Sequence, residues 1–172
     1  MKIEDDFLDQ RQFNKIQEVM MGQEFPWFYN SVIDFKDDVN KFQFVHMIYH
    51  NEAPVFEAGF NYFVPILDII KPFSIVKIKA NLLTRTPSIV ENEFHVDLGN
   101  LKEQPKILAQ WTTSIFYINT NNGYTKFEDG TKVESVANRL VTFPANIKHT
   151  GTSCTDEKIR VVINFNYYKN TP

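Results

Sequence analysis

The sequence predicts an α+β chain that is mainly β: a sandwich or barrel of short strands with helices packed ahead of it. Apolar residues recur at helical spacing only before residue 71. From residue 74 onward, short alternating runs take over, bounded by turn residues. Asn122-Gly123 and Asp129-Gly130 are two-residue turn signals inside that region. Helices first and strands after place the helices on the outer face of one sheet. At 172 residues the chain fits one domain, 1–172, with a helical support region over 1–73 and a β core over 74–168.

Taken in order, Asp5 or Asp6 is expected to cap a first helix, with Phe7, Phe13, Ile16, Val19 and Met20 on one side and Gly22 beyond it. Phe25-Pro26-Trp27-Phe28-Tyr29 reads as extended, because Pro26 and the aromatic run suit no helix. A polar loop follows over 34–38, then a strand over 42–49. The second helix is expected over 60–70, with Phe63, Val64, Leu67 and Ile70 buried and Pro65 tolerated in its first turn. Lys71-Pro72 ends it. Residues 74–83 alternate, with Val76, Ile78, Ala80 and Leu82 on one face and Lys77, Lys79, Asn81 and Leu83 on the other. Further strands are expected over 111–119, 124–127, 139–143, 149–151 and 158–168.

Composition narrows the function. A net charge of −3 and a pI near 5.8 favour neither nucleic acid nor an anionic membrane as partner. No apolar run reaches the roughly 20 residues of a membrane span. Cys154 is the only cysteine, which excludes an intrachain disulfide and a Cys-rich zinc site. The acidic start of the chain lacks the apolar core of a signal peptide. The expectation is a soluble protein of the reducing cytoplasm.

The chemistry concentrates in His95-Val96-Asp97, His149 and Arg160. Residues i and i+2 of an extended strand share a face, so the His95 imidazole and the Asp97 carboxylate can reach one ion. A second imidazole from His149 completes a set of two histidines and one carboxylate, which leaves open positions on non-haem Fe(II). Each residue by itself has a plainer reading as a polar strand end. Residues 152–157 read as a hairpin turn, which makes His149 and Arg160 cross-strand neighbours. Arg160 opens the apolar run Val161-Val162-Ile163, where a guanidinium needs an anion. That anion is either a small dicarboxylate ligand or an ordinary partner such as Glu157 or Asp156.

This pattern resembles the 2-oxoglutarate/Fe(II)-dependent oxygenase superfamily, and within it the prolyl-4-hydroxylase-like enzymes. Ile115-Phe116-Tyr117-Ile118-Asn119 is similar to the family strand entering the hairpin. Asn122-Gly123-Tyr124-Thr125 is similar to its Gly-Gly-x-Thr segment, with Tyr124 in place of the second glycine. The resemblance implies a double-stranded β-helix, or jelly roll, with His95, Asp97 and His149 as Fe(II) ligands. Arg160 would hold the distal carboxylate of 2-oxoglutarate, helped by Tyr117 and Thr125. It further implies O2 as co-reactant, succinate and CO2 as products, and hydroxylation of a peptidyl side chain such as proline or of a small molecule. Asn81 and Arg85 are substrate-binding candidates, Arg85 being as well explained as a solvated loop charge. Trp111 is a candidate for the entrance wall, and segments 86–92 and 98–107 for a lid. His46, His50 and Cys154 read as structural or surface residues. The alternatives are a jelly-roll metal enzyme that does not use 2-oxoglutarate and a non-enzymatic jelly-roll binding module.

Overall fold

The computed structural model describes residues 1–33, 41–99 and 103–169; the polar loop expected over 34–38 and part of segment 98–107 lie outside these. The chain opens with strand β1 (Lys2–Glu4) and helix α1 (Gln10–Met21). The helix cap is Asp9, not Asp5 or Asp6: its carboxylate accepts the Arg11 N–H at 3.0 Å. The first residues are committed to a sheet edge, so the helix starts later. Asp5 is taken by Arg139 in a two-bond ion pair, and Asp6 lies at a φ of 49°.

The second helical segment is also divided. A 3-10 turn (Glu57–Tyr62) precedes α2 (Val64–Ile70). Pro65 has no N–H to give to the preceding turn, so an α-helical ladder cannot run through from residue 60. Phe63, Ile66 and Ile70 are its buried residues, while Val64 is only half-buried. Lys71 closes the helix in the left-handed conformation, at a φ of 48°.

The remaining strands are β2 (Phe28–Asn30), β3 (Gln43–His50), β4 (Ala53–Pro54), β5 (Ser74–Thr84), β6 (Trp111–Tyr117), β7 (Tyr124–Phe127), β8 (Lys132–Glu134), β9 (Leu140–Pro144), β10 (His149–Gly151) and β11 (Ile159–Tyr168). A short helical turn, α3 (Pro105–Leu108), precedes β6. An antiparallel sheet of eight strands runs β1-β9-β6-β11-β5-β3-β2, with β4 on β3, and a second sheet runs β10-β7-β8. Asp129-Gly130 forms the β7–β8 hairpin, where Gly130 takes a φ of 90° and Thr131 N–H bonds the Asp129 carboxylate.

The long sheet has two unlike faces. One packs under both helices: Phe13, Ile16 and Met20 of α1 and Phe63 and Ile66 of α2 meet Ile78, Ala80, Val161, Ile163 and Phe165. The helices therefore cover the outer face of one sheet, as expected. The other face turns towards the short sheet, and a smaller cluster of Ile115, Tyr117, Phe127 and Phe143 fills part of the gap. Alternation on β5 breaks once. A bulge opposite Asn166 and Tyr167 leaves Val76 without a partner, so Ile75 joins the helix-side core and Val76 packs with Leu98 and Leu108 instead. Among the described residues no helix is long and apolar enough to cross a membrane.

Candidate metal centre and its cavity

His95 and His149 meet through the backbone. Each donates its N–H to the carbonyl of the other at 3.0 Å, forming an isolated antiparallel bridge. Directly opposed residues project to the same side, and the two rings lie with centroids 5.1 Å apart. The cross-strand neighbours of His149 are thus His95 and, in the short sheet, Phe127, which corrects the expected pairing with Arg160. Residues 152–157 do not form a hairpin. They carry the chain from the short sheet, where β10 pairs with β7, to the long sheet, where β11 pairs with β5 and β6.

Asp97 follows His95 at the i+2 position and turns one oxygen to both rings. Its Oδ1 lies 3.7 Å from Nε2 of His95 and 3.7 Å from Nε2 of His149. One ligand atom from each of the three residues falls within 4.8 Å of the others. Nδ1 of His95 lies 3.1 Å from the Glu93 carbonyl, and Nδ1 of His149 lies 3.2 Å from that of Ile147. A carbonyl only accepts, so both Nδ1 atoms carry hydrogen, and Nε2 is the atom each ring offers to a metal. This second layer is what metal-binding imidazoles require. Two neutral imidazole nitrogens and one carboxylate oxygen suit a divalent ion of the iron type, with coordination positions left over.

β11 holds the carboxylate in place. Asn164 Nδ2 reaches both Asp97 oxygens at 3.2 Å, and Asn166 Nδ2 bonds Oδ2 at 3.0 Å and Thr113 Oγ1 at 3.0 Å. Burial by itself would raise the Asp97 carboxyl, but the His95 and His149 rings beside it, the Lys77 charge and the Asn166 amide together hold it well below the usual range.

The cluster opens on a cavity of about 720 Å³. Arg160, Val162, Asn164 and Asn166 alternate along the cavity face of β11, so Arg160 lies four residues from Asn164, about 13 Å along the strand. Leu83, Ile115 and Val162 give the wall beside it an apolar lining. Arg160 is only 3% exposed. Its Nε donates to Ser135 Oγ at 2.8 Å and its Nη2 reaches Thr125 Oγ1 at 3.4 Å, while Tyr117 donates its hydroxyl to Thr125 at 2.8 Å. Among the described residues no carboxylate pairs with this guanidinium. Asp156 instead accepts the Asn122 N–H, so the ordinary ion-pair explanation fails. Gly123 makes room for the arginine: a Cβ there would fall 2.7 Å from Arg160 Cδ and 2.7 Å from the Ser153 carbonyl.

Asn81 lines the cavity as expected from its strand face, whereas Arg85 is exposed and outside the wall. Trp111 packs on Tyr168 and is not in the lining. Segment 86–92 is tied down, with Val90 and Ser153 exchanging bonds and Asn92 held on Gly151. His46 is buried, with Phe25, Phe28 and Phe56 around its ring and Nδ1 2.6 Å from the Pro26 carbonyl. His50 is exposed at a strand end, and Cys154 is buried with Sγ on the Glu157 carbonyl. Sequence reasoning passed over Ser135, Lys77, Asn164 and Asn166. The two asparagines were visible as amides at alternate positions of an otherwise apolar strand.

The architecture has close counterparts among solved structures. A Trichoplax adhaerens prolyl hydroxylase, in complex with a hypoxia inducible factor oxygen degradation domain peptide fragment, superposes with a TM-score of 0.68 at 13% identity, covering 97% of this chain and 82% of that one. An oxidoreductase of the 2OG-Fe(II) oxygenase family from Burkholderia pseudomallei gives a TM-score of 0.69 at 11% identity, covering 98% and 84%. The non-heme alpha ketoglutarate dependent epimerase SnoN of nogalamycin biosynthesis gives 0.65 at 10% identity, covering 98% and 77%. The fold is that of the 2-oxoglutarate/Fe(II) oxygenases. No family model matches the chain, and no curated protein matches it by sequence. The cavity between the sheets holds the His-Asp-His cluster at one end and the buried arginine at the other.

Proposed function

We propose that this chain is an Fe(II)- and 2-oxoglutarate-dependent dioxygenase, a hydroxylase whose single domain joins a helical support over 1–73 to a catalytic β core over 74–168. One observation carries the reading. A compact set of two imidazoles and one carboxylate shares a cavity with a buried guanidinium that has no carboxylate partner among the described residues. A dicarboxylate with a keto-acid end satisfies both sites at once, chelating the metal and neutralising the arginine.

His95, Asp97 and His149 would hold Fe(II), which supplies O2 activation coupled to decarboxylation of 2-oxoglutarate to succinate and CO2. Arg160 binds the distal carboxylate, with Tyr117 and Thr125 forming the hydroxyl pair beside it. Leu83, Ile115 and Val162 enclose the methylenes and keep water from them. Asn164 and Asn166 orient Asp97 so that one oxygen faces the metal position. The acceptor is a peptidyl side chain such as proline, the kind of ligand the Trichoplax enzyme holds as a peptide, or a small molecule. Aerobic incubation with Fe(II), ascorbate and 2-oxoglutarate should yield succinate in the wild type and not in His149→Ala. Protein that binds both components anaerobically yet forms no succinate in air overturns the proposal.

A further inference from the structure

The register between β5 and β11 decides what stands beside the metal-binding cluster. Lys79 is the partner of Asn164 and Lys77 the partner of Asn166, the two asparagines that hold Asp97. Both lysines line the cavity, while the far end of the same face pairs Leu83 with Arg160. Lys77 is half-buried, and its ammonium donates to the Asp97 carbonyl oxygen at 2.9 Å without a carboxylate ion pair among the described residues. Among the described residues of the lining, the only carboxylate is that of Asp97.

An ammonium withdrawn from water needs an anion to offset its desolvation. The Asp97 carboxylate supplies that field only until a metal competes for it. With a divalent ion on His95, Asp97 and His149, two neutral imidazoles and one carboxylate leave the centre a single positive charge. A dicarboxylate cosubstrate and the Arg160 guanidinium together cancel it. The charge of Lys77 remains, on the wall next to the position where chemistry occurs.

Resting on the oxygenase reading above, we infer that the substrate is an acid: a small molecule whose carboxylate docks on Lys77 and so sets a neighbouring carbon beside the metal. Asn81 follows Lys79 on the cavity face of the same strand and offers a neutral hydrogen-bonding group. A cavity of about 720 Å³ lies within the usual range for small-molecule sites. The selectivity is electrostatic, so an amide of the same shape is rejected.

The test uses full-length protein loaded with Mn(II) and saturated with 2-oxoglutarate under argon, so that no turnover occurs and the Arg160 site is filled. The probes are 4-fluorobenzoate with 4-fluorobenzamide, and 3-(4-fluorophenyl)propionate with its amide. Paramagnetic broadening of each fluorine resonance reports binding near the metal. Broadening of the acids and not of the amides is expected. Binding of the acids should weaken at least about tenfold in K77M, the loss of one charge-assisted contact, and return in K77R. Metal affinity is measured in every variant, because Lys77 also touches the Asp97 backbone. Equal broadening of acids and amides, acid binding unchanged in K77M, or no broadening of either acid at millimolar concentration overturns the inference. Failure of the oxygenase reading shows earlier, as Mn(II) protein that does not take up 2-oxoglutarate, and the inference falls with it.

Discussion

Arg160→Met separates a ligand anchor from a structural arginine, because the first role predicts a large loss of cosubstrate binding with little loss of stability and the second the reverse. Arg160 is 3% exposed and, among the described residues, its side chain bonds only hydroxyls, and burial pulls its pKa below the usual arginine value. Replacing a buried, poorly compensated charge by an apolar side chain of similar length is neutral or stabilising, by up to about 4 kcal/mol in favourable cases. Against this stand two hydrogen bonds of about 1 kcal/mol each. Urea unfolding of the metal-free variant should therefore lie within about 2 kcal/mol of wild type, in either direction. With cosubstrate present the sign is fixed. Truncating one side of a buried, hydrogen-bonded charge pair costs about 2–5 kcal/mol, or roughly 30- to 5,000-fold in Kd for 2-oxoglutarate. Calorimetric titration of Mn(II)-loaded protein under argon measures that loss. A variant that binds 2-oxoglutarate like the wild type, or one that unfolds without ligand, refutes the assignment of Arg160 as the anchor.

The neighbouring residues give further expectations. Asn166→Ala should weaken Mn(II) binding about 10- to 100-fold, since outer partners of a ligating carboxylate carry that much of its affinity; an unchanged affinity in metal titrations contradicts the role given to β11. Gly123→Ala drives a Cβ into Arg160 and the Ser153 carbonyl, so it should cost about 1–3 kcal/mol in urea unfolding and weaken 2-oxoglutarate binding in calorimetry. Tyr117→Phe removes the hydroxyl bonded to Thr125 and should cost about 1 kcal/mol of stability, with a several-fold loss of 2-oxoglutarate affinity. For the metal-free protein, the Asp97 carboxyl is lowered on folding. Its stabilisation is complete above the unfolded value of about 3.9 and is lost as pH falls through the lowered folded value. Between pH 5 and 2.5, urea unfolding should show a steeper loss in wild type than in Asp97→Asn; parallel curves contradict it.

The residues that the fold gathers into the candidate site were legible because their chemistry is local in type even though distant in sequence. His95-x-Asp97 needs only the period of an extended strand, and Arg160 announces itself as a charge opening an apolar run. The strand face of Lys77, Lys79 and Asn81 was equally readable from alternation, up to the bulge that turns Val76 around. Pairing was not. A turn-like composition over 152–157 suggests a hairpin, but the chain crosses between sheets there, and the partner of His149 comes from the segment around His95. Edge commitments also escaped: β1 is a three-residue strand with no alternation to detect, and its pairing with β9 is what moves the helix cap to Asp9. Ser135 lies on the far side of a hairpin from Thr125, and only the folded sheet brings it to Arg160.

The most direct test is anaerobic absorption spectroscopy of the Fe(II)-loaded protein as 2-oxoglutarate is added. A weak visible charge-transfer band that saturates with 2-oxoglutarate, is lost in His149→Ala, and in Arg160→Met demands far higher 2-oxoglutarate, is the expected result. Bound Fe(II) whose spectrum ignores 2-oxoglutarate would contradict the cosubstrate and leave a different metal enzyme. Well-folded protein that takes up no iron would contradict the centre itself.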